Sequence, residues 1–144
     1  MNESPRSHFA AKHPAGTTVP SEVKAGLEAR IEKGCITCAA AHAVARALSI
    51  HPEGVGQAID LLEGRIEKCQ LGLFGYGARK KIVDAGQAVD PKIRETILAA
   101  SLNGCLTCGD AWTIAERLAV PRLAIGTACE SLGIKVVRCQ LGAF

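Results

Sequence analysis

The sequence predicts a mainly α protein with a small β component, built as two tandem copies of one three-helix unit. Three observations lead there. The 144-residue chain superposes on itself at an offset of 70 positions: Gly34-Cys35-Ile36-Thr37-Cys38 falls on Gly104-Cys105-Leu106-Thr107-Cys108, and Cys69-Gln70-Leu71-Gly72 on Cys139-Gln140-Leu141-Gly142, with no gap between the anchors. Between them Ala41, Val44, Ala45 and Leu48 match Ala111, Ile114, Ala115 and Leu118, an apolar stripe at helical spacing in both copies. Composition agrees: 48% of the residues are hydrophobic but only 3% aromatic, which suits small helices packed through Ala, Leu, Ile and Val.

Each copy yields the same elements in order. A first helix carries Val23, Leu27 and Ile31 in copy one and Ile93, Ile97 and Leu98 in copy two, where Asp90-Pro91 supplies an N-cap followed by proline at the first helical position. Gly34 and Gly104 are expected to stop it as C-terminal glycines. After a short extended Cys-Ile or Cys-Leu, Thr37 and Thr107 are placed to cap a second helix that runs to about Leu48 or Leu118. Turns at Ser49-Ile50-His51-Pro52 and Ala119-Val120-Pro121-Arg122 lead into a third helix, with Val55, Ile59 and Leu62, or Ile125, Cys129 and Leu132, facing inward. Extended stretches at 65–70 and 135–140 close the copies. The expected division is a disordered tail over 1–20 that leaves His8 and His13 solvated, a first repeat over 21–83, a linker over 84–90 and a second repeat over 91–144.

Several function classes are disfavoured. The tail has no apolar run of the kind a secretory signal needs, and no stretch is long enough to span a bilayer, so a cytoplasmic protein is expected. In that compartment seven cysteines point to thiols, metal ligands or redox groups rather than to a permanent disulfide framework. A serine-hydrolase elbow, a metalloprotease helix, a P-loop and a dinucleotide fingerprint are all missing, so an enzyme is not expected. The one enzymatic possibility is a thiol oxidoreductase working through Cys35 and Cys38, which lacks the usual βαβ surroundings.

The run of Ala, three residues, Ala, two residues, Leu, then a β-branched residue, a turn and Val/Ile-Gly resembles the helix-turn-helix of winged-helix proteins, over residues 22–82 and 92–144. The resemblance implies tandem winged-helix-like domains in the order helix, short strand, helix, helix, strand, with the third helix in the DNA-recognition position. It also implies a wing and return strand from Gly75 to Val83, which the second copy, ending at Phe144, lacks or borrows. If the strand of Cys35 pairs with that of Cys69, as this order implies, Cys35, Cys38 and Cys69 converge, and so do Cys105, Cys108 and Cys139. Such a set suits zinc or an iron-sulfur cluster, a reversible dithiol, or plain packing. Cys38 and Cys108 would sit at helix N-termini, where a thiol pKa is lowered. His42 could supply a fourth ligand in copy one, but Trp112 stands at its place in copy two. Cys129 occupies the inward position of Ile59 and is expected to pack.

On the outward face of the third helix the same resemblance places Glu53, Gln57 and Asp60 in copy one, and Arg122, Leu123, Ala124, Thr127 and Glu130 in copy two. Gln57 and Thr127 are candidates for base edges. Arg65, Lys68, Arg79, Lys80, Lys81 and Arg122 are candidates for phosphates. Two readings follow. One is a DNA-binding regulator of double-stranded DNA with a cysteine-based metal, cluster or redox site per repeat. The other is a protein-interaction module of the same architecture, docking through the third helix of the second repeat. The formal charge of +3 is too small to choose between them.

Overall fold

A computed structural model of the chain describes residues 10–144; His8 and the rest of 1–9 lie outside the described residues. The fold is mainly helical with two small strand pairs. In order it comprises α1 (Ser21–Glu28), β1 (Cys35–Thr37), α2 (Cys38–Leu48), α3 (Pro52–Leu61), β2 (Arg65–Glu67), α4 (Pro91–Ala100), β3 (Cys105–Thr107), α5 (Cys108–Leu118), α6 (Arg122–Leu132) and β4 (Lys135–Val137). No described helix is long and apolar enough to cross a membrane.

The first helices end earlier than expected. The last turn of α1 closes at Ala29, and Gly34 serves a different purpose. Lys33 and Gly34 both take positive φ (52° and 78°) while Glu32 and Cys35 exchange two backbone hydrogen bonds, which is a two-residue turn of the type that favours Asn-Gly. The second copy has that dipeptide, Asn103-Gly104, with φ of 52° and 76°. The turn feeds β1 and β3 directly into the second helices, which Thr37 and Thr107 cap by accepting from Ala40 N (3.0 Å) and Asp110 N (3.1 Å). Ser49 and Ala119, both left-handed, end those helices, and the third helices begin three residues later.

Both strand pairs are parallel, which the crossover through two helices permits. Cys35 stands opposite Arg65 and Thr37 opposite Glu67; Cys105 stands opposite Lys135 and Thr107 opposite Val137. Lys68 and Arg138 then adopt left-handed φ (51° and 53°), and the chain leaves the strand before reaching Cys69 or Cys139. The expected side-by-side placement of Cys35 and Cys69 is thereby corrected. The expected wing is corrected too: residues 70–83 contain turns and a short 3₁₀ segment at Gly77–Arg79, and no strand.

The chain forms two compact units, and their boundary is neither 20/21 nor the expected linker. Unit one takes residues up to Lys68 together with Leu141–Ala143; unit two takes Cys69–Gln140 with Phe144. The exit segment of each repeat therefore completes the unit containing the other repeat's helices. In unit one the carbonyl of Leu141 lies against Gly56 of α3, and in unit two the carbonyl of Leu71 lies against Gly126 of α6, at equivalent positions. Both leucines are buried, Leu71 within a core that includes Ile97, Leu106, Ile114, Ile125 and Cys129.

The segments before α1 and α4 are also structured parts of the repeat. In unit one Asp60, near the end of α3, binds Lys12 (3.0 Å) and His13 (2.9 Å), and Glu63 accepts from the Ala10 amide at 2.9 Å. In unit two Glu130, the counterpart of Asp60, pairs with Lys81, and Ser131 accepts from the Gln87 amide. Residues Ala10, Lys12 and His13 thus contact the end of the third helix of unit one, and Gln87, within 84–90, contacts that of unit two. The arms share Ala15-Gly16 and Ala85-Gly86, whose glycines both have φ of 87°.

Glycine substitutions in α3 and α6 separate these effects. Gly56→Ala and Gly126→Ala drive a methyl group into the Leu141 or Leu71 carbonyl and are expected to destabilise by about 1–3 kcal/mol or more. Gly54→Ala, with open space around it and helical φ, is expected to stabilise by about 0.4–1 kcal/mol. Urea unfolding of the three variants checks both signs. Removal of the Asp60 carboxylate by Asp60→Ala leaves the Lys12 and His13 contacts unmade, and a loss of roughly 1–3 kcal/mol is expected in the same assay.

Candidate functional site: a thiol cluster and an apolar groove in unit two

The cysteine sets differ from those expected. Cys69 falls in unit two, whereas Cys35 and Cys38 belong to unit one. Cys105, opposite Lys135 on β3, is half-buried. Cys69, Cys108 and Cys139 all belong to unit two, where Cys139 and Cys69 oppose ionisation of Cys108. No three His, Cys, Asp or Glu side chains among the described residues are grouped so as to hold a metal ion. Cys38 and His42 are buried in α2 of unit one.

Cys108 occupies the first position of α5. Its thiol pKa nevertheless lies above the ordinary value of 9.0, because burial outweighs everything else. Opposing that are two donors from Gln140: its backbone N–H, and its side-chain amide at 3.7 Å from the sulfur. The neighbouring Cys139 and Cys69 add to the upward push. The expected lowered pKa at this helix N-terminus is therefore reversed, and the resting group is a thiol. Cys129 is 1% exposed in the core beneath, and burial pushes its thiol up to about 11.

Three of the eight candidate DNA contacts, Arg79, Lys81 and Arg122, have partners within the protein. Asp60 is buried under the arm rather than outward. Arg79 lies 3.4 Å from Asp84, and Lys81 is bound to Glu130. The Arg122 guanidinium stacks 3.7 Å from the Trp112 ring centroid and donates to the Gln70 side chain at 3.2 Å. Gln57 and Thr127 are half-buried. Arg65, Lys68 and Lys80 are exposed and make no ion pair among the described residues. With Val55, Gly56, Ala58, Ile59 and Asp60 all buried, α3 has only Glu53 and Gly54 fully exposed, and that edge is acidic.

A feature missed in the sequence lies beside α6. The arm at 87–90, the start of α4 and α6 enclose a groove of about 480 Å³ whose walls include Val89, Ile93, Leu123, Ala124 and Thr127. Leu123 on its rim is 40% exposed. The signal was present in the repeat alignment: Leu123 and Thr127 replace Glu53 and Gln57, and Pro121 replaces His51, so copy two is apolar where copy one is polar. The other wall is the arm, whose placement against α6 has no signature in the sequence of 84–90.

The chain matches no protein-family model, no curated protein and no solved structure.

The Cys129 thiol supplies a pH test. Its pKa is raised on folding, so the stability it confers is complete below the unfolded value near 9 and is lost as pH rises towards the folded value of about 11. Unfolding free energy is expected to fall across that window by on the order of 1–2 kcal/mol from this group. Cys129→Val is expected to flatten the fall relative to wild type, measured by denaturant melts from pH 8 to 11.

Proposed function

We propose that the protein is a protein-interaction module of helix-turn-helix architecture whose second unit receives an amphipathic helix from a partner protein. The observation that carries this reading is the groove beside α6, which exposes Leu123 over an apolar wall of Val89, Ile93 and Ala124. An apolar helix face presents side chains at i, i+3 and i+4, and a groove between an arm and two helices accepts such anchors. Arg122, held flat on Trp112 at one end of α6, offers a rim cation to an acidic flank of the same partner.

A second reading keeps the chain as a regulator that binds double-stranded DNA. What favours it is the tight turn between second and third helix, present twice, together with exposed Arg65, Lys68 and Lys80. Against it weigh the acidic exposed edge of α3 and the pairing of Arg79 and Lys81. Three exposed cations give a weak electrostatic footprint beside the six to ten phosphate contacts, roughly, of a strong DNA binder.

Helical 16-mer peptides selected on the full-length protein, and a random-sequence DNA duplex, distinguish the two. The interaction reading expects peptides with apolar anchors at i and i+4, binding that changes little between about 50 and 300 mM salt, and at least a tenfold loss on Leu123→Glu. Steeply salt-dependent duplex binding, abolished by Arg65→Glu with Lys68→Glu and indifferent to Leu123→Glu, overturns it in favour of the DNA reading.

A further inference from the structure

The end of α6, β4 and residues 73–74 border a second cavity in unit two. Its volume is about 340 Å³, and its apolar walls are Leu73, Phe74, Ile134, Val136 and Phe144, with Cys129 also in the lining. It shares no lining residue with the groove of the arm and α4. A cavity of this size falls at the lower end of the roughly 300–1,000 Å³ of small-molecule sites, which are mainly apolar with a few polar groups that fix orientation. The Phe74 and Phe144 rings meet edge to face, their centroids 6.0 Å apart and their planes at 88°.

Comparison of the repeats shows where the space comes from. Cys129 stands at the position of Ile59, and Ile134 at that of Gly64. In unit one a Cβ on Gly64 would come within 3.1 Å of Ile59 Cγ2, so the isoleucine on the helix fills the volume that a side chain at 64 would need. Unit two reverses the pair, with the smaller side chain on α6 and the larger one just before β4. Cys129 is buried, and burial pushes its thiol up to about 11, which keeps it uncharged at neutral pH. The charged lining residues are Glu130 and Lys135. Glu130 is bound to Lys81, whereas Lys135 is exposed and makes no ion pair among the described residues. An apolar chamber is thus bordered by one cation without a counter-charge.

We propose that this cavity binds a small amphipathic carboxylate, with a flat apolar body among Phe74, Ile134, Val136 and Phe144 and the carboxylate against the Lys135 ammonium. The body supplies most of the affinity by leaving water, and the two phenylalanines offer an aromatic ring both a face and an edge. The ammonium supplies the choice of charge. An exposed ion pair contributes little, so that choice amounts to a few-fold preference rather than an absolute one. None of this depends on what binds beside α6.

The test is calorimetric titration of the full-length protein with naphthoate, naphthylmethanol and naphthylmethylamine, which share a ring system and differ in charge. Expected is one-site, saturable binding of naphthoate below about 1 mM, with the alcohol roughly two- to fivefold weaker and the amine weaker than the alcohol. Lys135→Gln is expected to bring naphthoate down to the level of the alcohol and to leave the alcohol unchanged. Cys129→Ile, which installs the residue of unit one, is expected to weaken all three by at least about tenfold, because the added volume fills the cavity. Phe144 is 49% exposed, so Phe144→Ala tests the same wall without a core substitution, and a loss of roughly fivefold for all three is expected. Leu123→Glu leaves the three affinities unchanged. Naphthoate that does not saturate the wild-type protein by about 1 mM, an amine that binds as tightly as the acid, or binding lost on Leu123→Glu overturns the proposal.

Discussion

The structure depends on one close approach: a leucine carbonyl lying directly on a helical glycine, once in each unit. A glycine inside a helix costs about 0.5–1 kcal/mol relative to alanine. Burying a leucine side chain returns about 1.5–3 kcal/mol, and Leu71 and Leu141 are buried in full. The exchange favours glycine only because no Cβ stands in the way, so the exit segment and the third helix constrain each other's sequence. The contact is also remote in sequence, since Leu141 and Gly56 are 85 positions apart (141 minus 56). Each unit is incomplete until both repeats exist, and closure of so long a loop belongs to the slow part of folding.

The second constraint is the arm. Acidic residues near the end of the third helix oppose nucleic acid if they face outward, and that is how Asp60 and Glu130 read in isolation. Their partners decide otherwise. Asp60 is held by Lys12 and His13, and Glu130 by Lys81. The carboxylates secure the segment that precedes the first helix, and the cations are spent on that contact. The same arrangement gives unit two its groove, because a fixed arm supplies one wall while α6 supplies the other.

Helices, caps and the duplication were legible because they are written in local chemistry. Thr37 and Thr107 cap as expected, the stripe Ala41, Val44 and Ala45 is buried, and Asp90 accepts from Lys92 and Ile93. Placement of the exit segments was not legible, because it turns on left-handed φ at Lys68 and Arg138, two residues with no glycine-like signature. The register, with Cys35 opposite Arg65, already sets Cys69 four residues beyond the partner of Cys35, and a short sequence does not specify that register. Likewise Gly34 and Gly104 do take positive φ, but in a tight turn paired with Lys33 and Asn103 rather than at a helix end. Positive φ at a glycine can be expected from sequence; which turn it serves depends on hydrogen bonds several residues away.

The protonation of Cys108 shows how such contests are decided. A helix N-terminus favours a thiolate by roughly 0.3–1 kcal/mol at an exposed site and up to about 2 kcal/mol where partly buried. Two N–H donors add to this. Removal of water opposes both, and with Cys139 and Cys69 nearby it prevails, leaving Cys108 protonated at rest.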